Sequence, residues 1–408
     1  MRVTQLLSQN ETRRPAPGFR AAPVLLAVGA AALTAGCNDT SSRALRPLSS
    51  ETIALFDQKG VSKASPTLLR AYKKESELEV WKQKADGTYV YVKSYPMCRW
   101  SGQLGPKTRE GDRQVPEGFY AITPGQMNPN SNYYLSFNVG YPNAYDRANG
   151  RGGGLIMVHG ACSSAGCFSM TDEQIAELYA IARESFAGGQ RAIQMQSMPF
   201  RMSAENLAKH RLDPNMPFWR QLKKGADIFD VTKQEPSVGV CGRSYGFNLG
   251  ADACAPQRDP EVASAVQEKE SQDDTKVAEL VQKGVAPVRV VYADGGQHPT
   301  FRNRSPHEVS RPDALAQEPV EIALQDRKAK PLAVAAMKGA RDKAKLAASA
   351  GAKSSPAPAE IAALDDEQVE TRAVFKKALG FRAAPGKADA ARAIDDADAP
   401  TPVARPAR

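Results

Sequence analysis

The chain has 408 residues, with 54 Lys plus Arg against 45 Asp plus Glu and a formal net charge of +9. That length suits one good-sized domain with appendages, or two domains, and a hydrophobic fraction of 42% can build a core. A wholly disordered chain and a polytopic membrane protein are thereby excluded. The positive charge is scattered, in pairs such as Lys73-Lys74, and no nucleic-acid-binding motif accompanies it, so no nucleic-acid partner is expected.

Arg13, Arg14 and Arg20 precede an uncharged run from Ala21 to Gly36, about 16 residues and short of the roughly 20 that span a bilayer. The run ends in Leu33-Thr34-Ala35-Gly36-Cys37, and small residues before a Cys resemble the lipobox of bacterial lipoproteins. Residues 1–36 are therefore expected to be a lipoprotein-type signal peptide, with Cys37 as the lipidation site. Ordinary cleavage and an uncleaved anchor are the alternatives. Each places the rest of the chain outside the cytoplasm, in the periplasm or cell envelope, with a lipid anchor as the expected membrane attachment. Residues 37–64 are polar and Ser-rich and read as a linker.

From Pro66 the pattern tightens. Leu68 to Tyr72 and Leu78 to Trp81 are short apolar stretches, and Tyr89 to Val92 follows the hairpin signal Asp86-Gly87. Residues 99–150 are rich in Gly, Pro and Asn, with β-prone runs at Phe119 to Ile122 and Tyr133 to Val139. Gly153 to Val158 reads as a strand entering His159. Thr171-Asp172-Glu173-Gln174 then offers a capping box, and Ile175, Leu178, Tyr179 and Ala182 fall at helical spacing, predicting a helix over about 172–187. Ile193 to Met198 reads as a strand, and Ala204 to His210, Pro217 to Lys224 and Pro260 to Lys283 as helices. Val288 to Tyr292 reads as one further strand. Residues 251–326 are expected to form an α/β extension, and 327–408 a disordered low-complexity tail of Ala, Lys, Asp and Pro.

The chemistry-bearing segment is His159-Gly160-Ala161-Cys162-Ser163-Ser164-Ala165-Gly166-Cys167. A strand delivers a His, a small-residue loop delivers a Cys, and a helix starts just beyond. A thiol at its ordinary pKa of about 8.5 is mostly protonated at neutral pH, so a nucleophilic Cys needs a base, and the start of a helix favours the negative sulfur. Gly166 leaves room for a carbonyl to approach, and the amides of Gly166 and Cys167 are candidates for an oxyanion hole. Metal ligation by His159, Cys162 and Cys167 lacks a CxxC pair and a fourth ligand. Ser163 or Ser164 as nucleophile lacks the GxSxG elbow. Cys162 is the competing thiol, but it lacks a preceding Gly; it is expected to be structural or a disulfide partner, for example of Cys98. Cys241 and Cys254 could pair in an oxidising compartment.

This segment resembles the L,D-transpeptidase catalytic motif, in which His-Gly is followed by Ser-x-Gly-Cys. The resemblance is closer to the YafK-like branch of murein L,D-transpeptidases. It extends through Arg70-Ala71-Tyr72-Lys73-Lys74, Leu78-Glu79-Val80-Trp81, Ser101-Gly102-Gln103-Leu104-Gly105-Pro106-Lys107, Pro116-Glu117-Gly118-Phe119-Tyr120, Gly140-Tyr141-Pro142-Asn143 and Pro199-Phe200-Arg201-Met202. It implies a mainly β catalytic domain with peripheral helices over 65–250, with no metal and no cofactor. It also implies Cys167 as nucleophile and His159 as proton acceptor and donor, with Gly166, Ser164 and Gly160 as oxyanion or substrate-groove candidates. Where the family commonly has Ser-His-Gly-Cys, this chain has Ser164-Ala165-Gly166-Cys167.

The expected reaction is acyl transfer on peptidoglycan stem peptides through a Cys167 thioester. Hydrolysis at the same site, trimming cross-links or releasing a wall-linked lipoprotein, is the first alternative, and a non-catalytic wall-binding lipoprotein the second. Gly105-Pro106-Lys107 and Glu117-Gly118-Phe119 are expected as turns lining the groove, with Lys107, Arg99 and Arg113 as possible attractors of stem-peptide carboxylates.

Overall fold

In a computed structural model that describes residues 42–247, 254, 259–303 and 309–325, the apolar runs of the first half pair into two sheets. The signal segment with Cys37 and the tail from 327 lie outside the described residues. β1 (Thr67–Tyr72) is buried at all six positions, as a strand covered on both faces must be. It pairs antiparallel with β2 (Glu77–Gln83), which pairs antiparallel with β3 (Tyr89–Pro96) across the Asp86-Gly87 turn. On its other side β1 runs parallel to β9 (Ile193–Met198), and β9 lies antiparallel to β4 (Gly118–Ile122), giving the order β3-β2-β1-β9-β4.

The second sheet has the order β5-β6-β7-β8: β5 (Met127–Asn128), β6 (Ser136–Asn138), β7 (Met157–His159) and β8 (Phe168–Ser169). The β-prone runs at Tyr133 to Val139 and Gly153 to Val158 thus yield three-residue strands. The chain leading to β7 contains Gly152-Gly153-Gly154, and Gly153 has φ 142° at a place where a Cβ would come within 3.0 Å of Lys107 and 3.1 Å of the Glu110 N–H.

Two departures from the sequence reading concern what surrounds these sheets. The linker expected over 37–64 is, from Ser42, part of the folded body. α1 (Ser50–Gln58) is capped by Ser49, whose side chain accepts from the Thr52 N–H, and it buries Thr52 and Phe56. Leu48, Thr52 and Phe56 form a buried stripe at four-residue spacing, hidden by the Ser-rich composition around it. The helix expected from Pro217 extends to Thr232.

Residues 259–325 hold a long helix and two strands, and they pack onto the same body as the sheets. α2 (Ala144–Ala148), α3 (Asp172–Ala187), α4 (Ala204–His210), α5 (Met216–Thr232) and α6 (Pro260–Gln282) lie around the sheets, and Lys223 of α5 bridges Asp227 and Asp273, the latter on α6. β10 (Val238–Cys241) and β11 (Ser244–Phe247) form a hairpin. β12 (Val288–Val291) pairs with β13 (Val320–Ala323). Val288, Val290 and Tyr292 belong to the main hydrophobic core, and the Tyr292 ring meets Trp100 edge-on at 4.9 Å. That packing sets the following residues, including Asp294, against the segment after β3.

α3 begins as its sequence predicts. Thr171 Oγ1 accepts from the Gln174 N–H (3.2 Å), and Gln174 Oε1 accepts from the Thr171 N–H (2.9 Å). Ile175, Leu178, Tyr179 and Ala182 are all buried.

Candidate active site

β7 ends on His159, and β8 begins immediately after Cys167. The two strands are parallel, with Val158 opposite Phe168 and His159 opposite Ser169. Cys167 therefore falls beside Met157, whose N–H points at the sulfur at 3.4 Å. Ser169 Oγ lies 3.5 Å from His159 Nε2, so these two side chains share a face. Side chains two apart on a strand point the same way, which brings Cys167 to that face too. Strand rise and spacing put the Cα atoms of this diagonal pair roughly 8 Å apart. Among the described residues no hydrogen bond joins the sulfur to the imidazole.

The tautomer of His159 follows from its partner. Nδ1 lies 2.7 Å from the Gly160 carbonyl oxygen, which can only accept, so Nδ1 carries the proton and Nε2 the lone pair. His159 is buried, with the Tyr133 ring over it at 4.6 Å and 32°. Burial lowers its pKa below the ordinary imidazole value, and the Gly160 carbonyl offsets this in part.

Cys167 is the free cysteine among the described residues and is half-buried. Burial pushes its thiol above the ordinary range, against the opposing pull of the Met157 N–H and the Lys107 charge. The resting pair is thus a neutral thiol and a neutral imidazole. The sequence reading had the start of the helix favour the thiolate; α3 starts five residues beyond the sulfur, at Asp172. Its first-turn carboxylate instead accepts the Ala161 N–H at 2.8 Å, so the helix start secures the loop between His159 and Cys167.

That loop is tightly held. Gly160 sits where a Cβ would come within 2.5 Å of Asp172 Oδ1 and 3.0 Å of the Tyr133 carbonyl. Ala161 and Cys162 are both left-handed, with φ of 62° and 44°. Cys162 is joined to Cys98 in a disulfide, which removes it as a rival nucleophile, and Cys241 is joined to Cys254.

Ser164 is buried and fully engaged. Its Oγ donates to the Cys167 carbonyl (2.7 Å), accepts from the Gly166 N–H (3.3 Å) and lies 2.9 Å from Ser101 Oγ. Its N–H donates to Ser310 Oγ (3.1 Å), and its carbonyl accepts from Arg113 (2.9 Å). Ser164 therefore splints the loop from within. Of the two amides expected to hold an oxyanion, that of Gly166 is taken by Ser164 Oγ, which leaves that of Cys167. Gly166 has φ 133°, so the position favours glycine for its backbone.

The expected groove turns also differ. Glu117 is fully buried and accepts from Lys73 Nζ (2.9 Å), the Gly105 N–H (2.7 Å) and Trp219 Nε1 (2.8 Å), so it anchors the core. Lys107 is tied to Asp112 at 2.5 Å and to the Arg109 carbonyl at 2.9 Å. Tyr133, Ser101, Asp294 and Ser310 complete the surroundings of the loop. Asp294 and Ser310 carried no local sequence signal, because their partners lie up to 195 residues away along the chain.

Residues 61–188 match the family model of the YkuD L,D-transpeptidase catalytic domain. Over 181 residues the chain is 40% identical to the L,D-transpeptidase family protein YafK of Escherichia coli, in two strains, covering 44% of this chain and 73% of that one. Among solved structures, the helical cell shape determining protein Pgp2 of Campylobacter jejuni is 15% identical, with 59% of this chain and 80% of that chain covered and a TM-score of 0.27. A variant of Pgp2 is covered over 55% of its length. Bd1075 of Bdellovibrio bacteriovorus is 15% identical, with 43% and 77% covered and a TM-score of 0.26. The chain belongs to the L,D-transpeptidase family, and its two sheets with helices outside them are the mainly β fold of that family's catalytic domain.

Proposed function

We propose that the chain is a cysteine acyltransferase acting on peptidoglycan stem peptides, with Cys167 as nucleophile and His159 as the proton carrier. The observation that carries this reading is the pairing of β7 with β8. It sets the free thiol and an imidazole with an unprotonated Nε2 on one face, with a backbone N–H on the sulfur. In the reaction Sγ attacks the amide carbonyl of diaminopimelate as Nε2 takes the thiol proton. The imidazolium returns that proton to the leaving amine, and a thioester remains. An incoming amine gives its proton to Nε2, attacks the thioester and forms the cross-link, and the thiol is restored. Water in place of the amine gives hydrolysis.

Two disulfides in the described residues support a location outside the reducing cytoplasm. With the lipobox-like Cys37, they support a lipid-anchored protein in the cell envelope. The test is mass spectrometry of muropeptides from cells carrying the wild type, Cys167→Ala or His159→Gln. Loss of diaminopimelate-to-diaminopimelate cross-links in both variants is the expected result. Accumulation of wall-bound lipoprotein instead assigns water as the acceptor, and an unchanged wall in both refutes the enzyme.

A further inference from the structure

Asp294 is nearly buried and receives three guanidinium groups. Arg99 Nη2 lies at 2.8 Å, Arg113 Nη2 at 2.7 Å with its Nε at 3.3 Å, and Arg311 Nη1 at 2.9 Å; the Gly102 N–H adds a further donor at 3.2 Å. One carboxylate offsets one positive charge, so among the described residues the cluster carries a net charge of about +2. Among the described residues no second carboxylate pairs with any of the three. The imbalance is felt at the buried end, where burial, opposed by Asp294 but reinforced by Arg113 and Arg311, pulls Arg99 down to about 10. A partly desolvated cluster of like charge is costly without a counter-ion.

The cluster opens outward in order. The Arg99 side chain is 0% exposed, Arg113 34% and Arg311 53%. Its other atoms are spent on the nucleophile loop. Arg113 Nη2 also donates to the Ser164 carbonyl, and Ser164 Oγ in turn holds the Cys167 carbonyl. Ser310, next to Arg311, accepts the Ser164 N–H at its Oγ and donates its own N–H to the Cys162 carbonyl. The open end of the cluster and the reacting sulfur are therefore fixed to one loop. A planar guanidinium with free donors is suited to a carboxylate, which it can meet with two parallel hydrogen bonds.

We propose that Arg311, with Arg113 behind it, binds a free carboxylate of the acyl-donor peptide. This inference rests on the stem-peptide reading above. A stem tetrapeptide offers two such groups, the terminal carboxylate of the leaving alanine and the side-chain carboxylate of diaminopimelate. The experiment separates them by using three disaccharide-tetrapeptides: the free acid, the terminal amide and the diaminopimelate side-chain amide. With the wild-type chain, the amide that removes the recognised carboxylate raises KM about tenfold and the other does not. Arg311→Ala raises KM for the free acid to the value of that amide and removes the discrimination, while kcat changes less than twofold. Arg311→Lys recovers most of the difference.

Equal KM for all three peptides with the wild type, or a KM for Arg311→Ala that rises equally for all three, overturns the proposal. Binding of the same peptides to the Cys167→Ala chain by calorimetry separates the two levels. Discrimination in binding without turnover sinks the enzyme reading and keeps the carboxylate site. Turnover with no discrimination sinks the site alone. Arg311→Gln and a thermal melt of each variant serve as the folding control, since a structural loss would lower Tm and act on all peptides alike.

Discussion

Replacing Cys98 and Cys162 together by Ala is expected to damage both stability and rate, to different degrees. The disulfide closes a loop of 64 residues in the unfolded chain. The chain-entropy relation assigns such a cross-link about 4 kcal/mol. Cys98, Cys162, Phe301 and Val309 also form a small buried cluster, which the double variant thins. For a domain of this size 1 kcal/mol moves Tm by about 2–4 °C, so a fall of roughly 10 °C is expected in a thermal melt. The comparison is the Cys241–Cys254 bridge, with a separation of 13, for which the same relation gives about 3 kcal/mol. The rates should separate the two bridges more sharply. Ala161 and Cys162 are held left-handed in the loop that ends at Cys167, the proposed nucleophile, and a released loop relaxes toward negative φ. A misplacement of about 1 Å at a reacting atom costs about a hundredfold in rate. Peptide turnover by the folded Cys98→Ala/Cys162→Ala chain is therefore expected to fall by about that factor, and turnover by the Cys241→Ala/Cys254→Ala chain to stay within a few-fold. Equal kcat for the two double variants, measured well below their Tm, would refute the positioning argument whatever the melts show.

Four further outcomes follow from the same geometry. Because burial raises the Cys167 thiol, its alkylation by iodoacetamide should climb through pH 8.5 without levelling; a plateau reached near neutral pH would mean a resting thiolate. Gly160→Ala should lower Tm and kcat together, since its Cβ would press on Asp172 Oδ1 and the Tyr133 carbonyl, at a cost of about 1–3 kcal/mol; an unperturbed melt would contradict the close packing. Glu117→Ala strands the buried Lys73 ammonium and should cost about 3–5 kcal/mol in urea unfolding, whereas Glu117→Leu with Lys73→Met should recover part of it. His210 is buried between Phe200 and Trp219, and burial lowers its pKa to about 4. The unfolded chain binds that proton near 6.5 and the folded chain does not, so stability is lost as pH falls from about 6.5 to about 4, by about 3 kcal/mol in all. His210→Phe should flatten that slope in urea titrations, and an unchanged slope would assign it to other groups.

What could be read from the residues was what they decide locally. Thr171 and Gln174 specify their own cap, Asp86-Gly87 its own turn, and His159 and Cys167 lie close enough in sequence for a parallel strand pair to bring them to one face. The failures are also physical. α1 was hidden because its two buried positions, Thr52 and Phe56, sit among serines and charges that say linker by composition. The strand read at Val288 to Tyr292 forms, but its place in the core rests on Trp100, nearly two hundred residues earlier, and no local pattern shows that contact. Ser164 reads as a groove residue because a hydroxyl three residues before Cys167 has two possible orientations, and only Ser101, Ser310 and Arg113, from distant parts of the chain, decide between them.

The neutral resting state of the site bears on where such a protein works. In the envelope location proposed above, a free thiol is exposed to exchange and oxidation, and both scale with the thiolate fraction. Lowering the thiol pKa with a nearby cation or an imidazolium, as many cysteine enzymes do, would raise that fraction at rest. Here burial opposes ionisation at both groups: it raises Cys167 and lowers His159, and the Nδ1–H of His159 is committed to Gly160. On the proposed mechanism the thiolate is made only when Nε2 and an electrophilic carbonyl are both in place, so proton transfer and attack occur together. The same arrangement leaves Nε2 free to receive the proton and keeps it from being protonated near neutral pH. Activity should therefore persist below the ordinary imidazole pKa and fail only where the lowered one is crossed. The acid limb of kcat/KM on a stem tetrapeptide measures this directly. A midpoint above 6.5 would mean that the imidazole is stabilised as a cation, and the neutral-pair account would be lost.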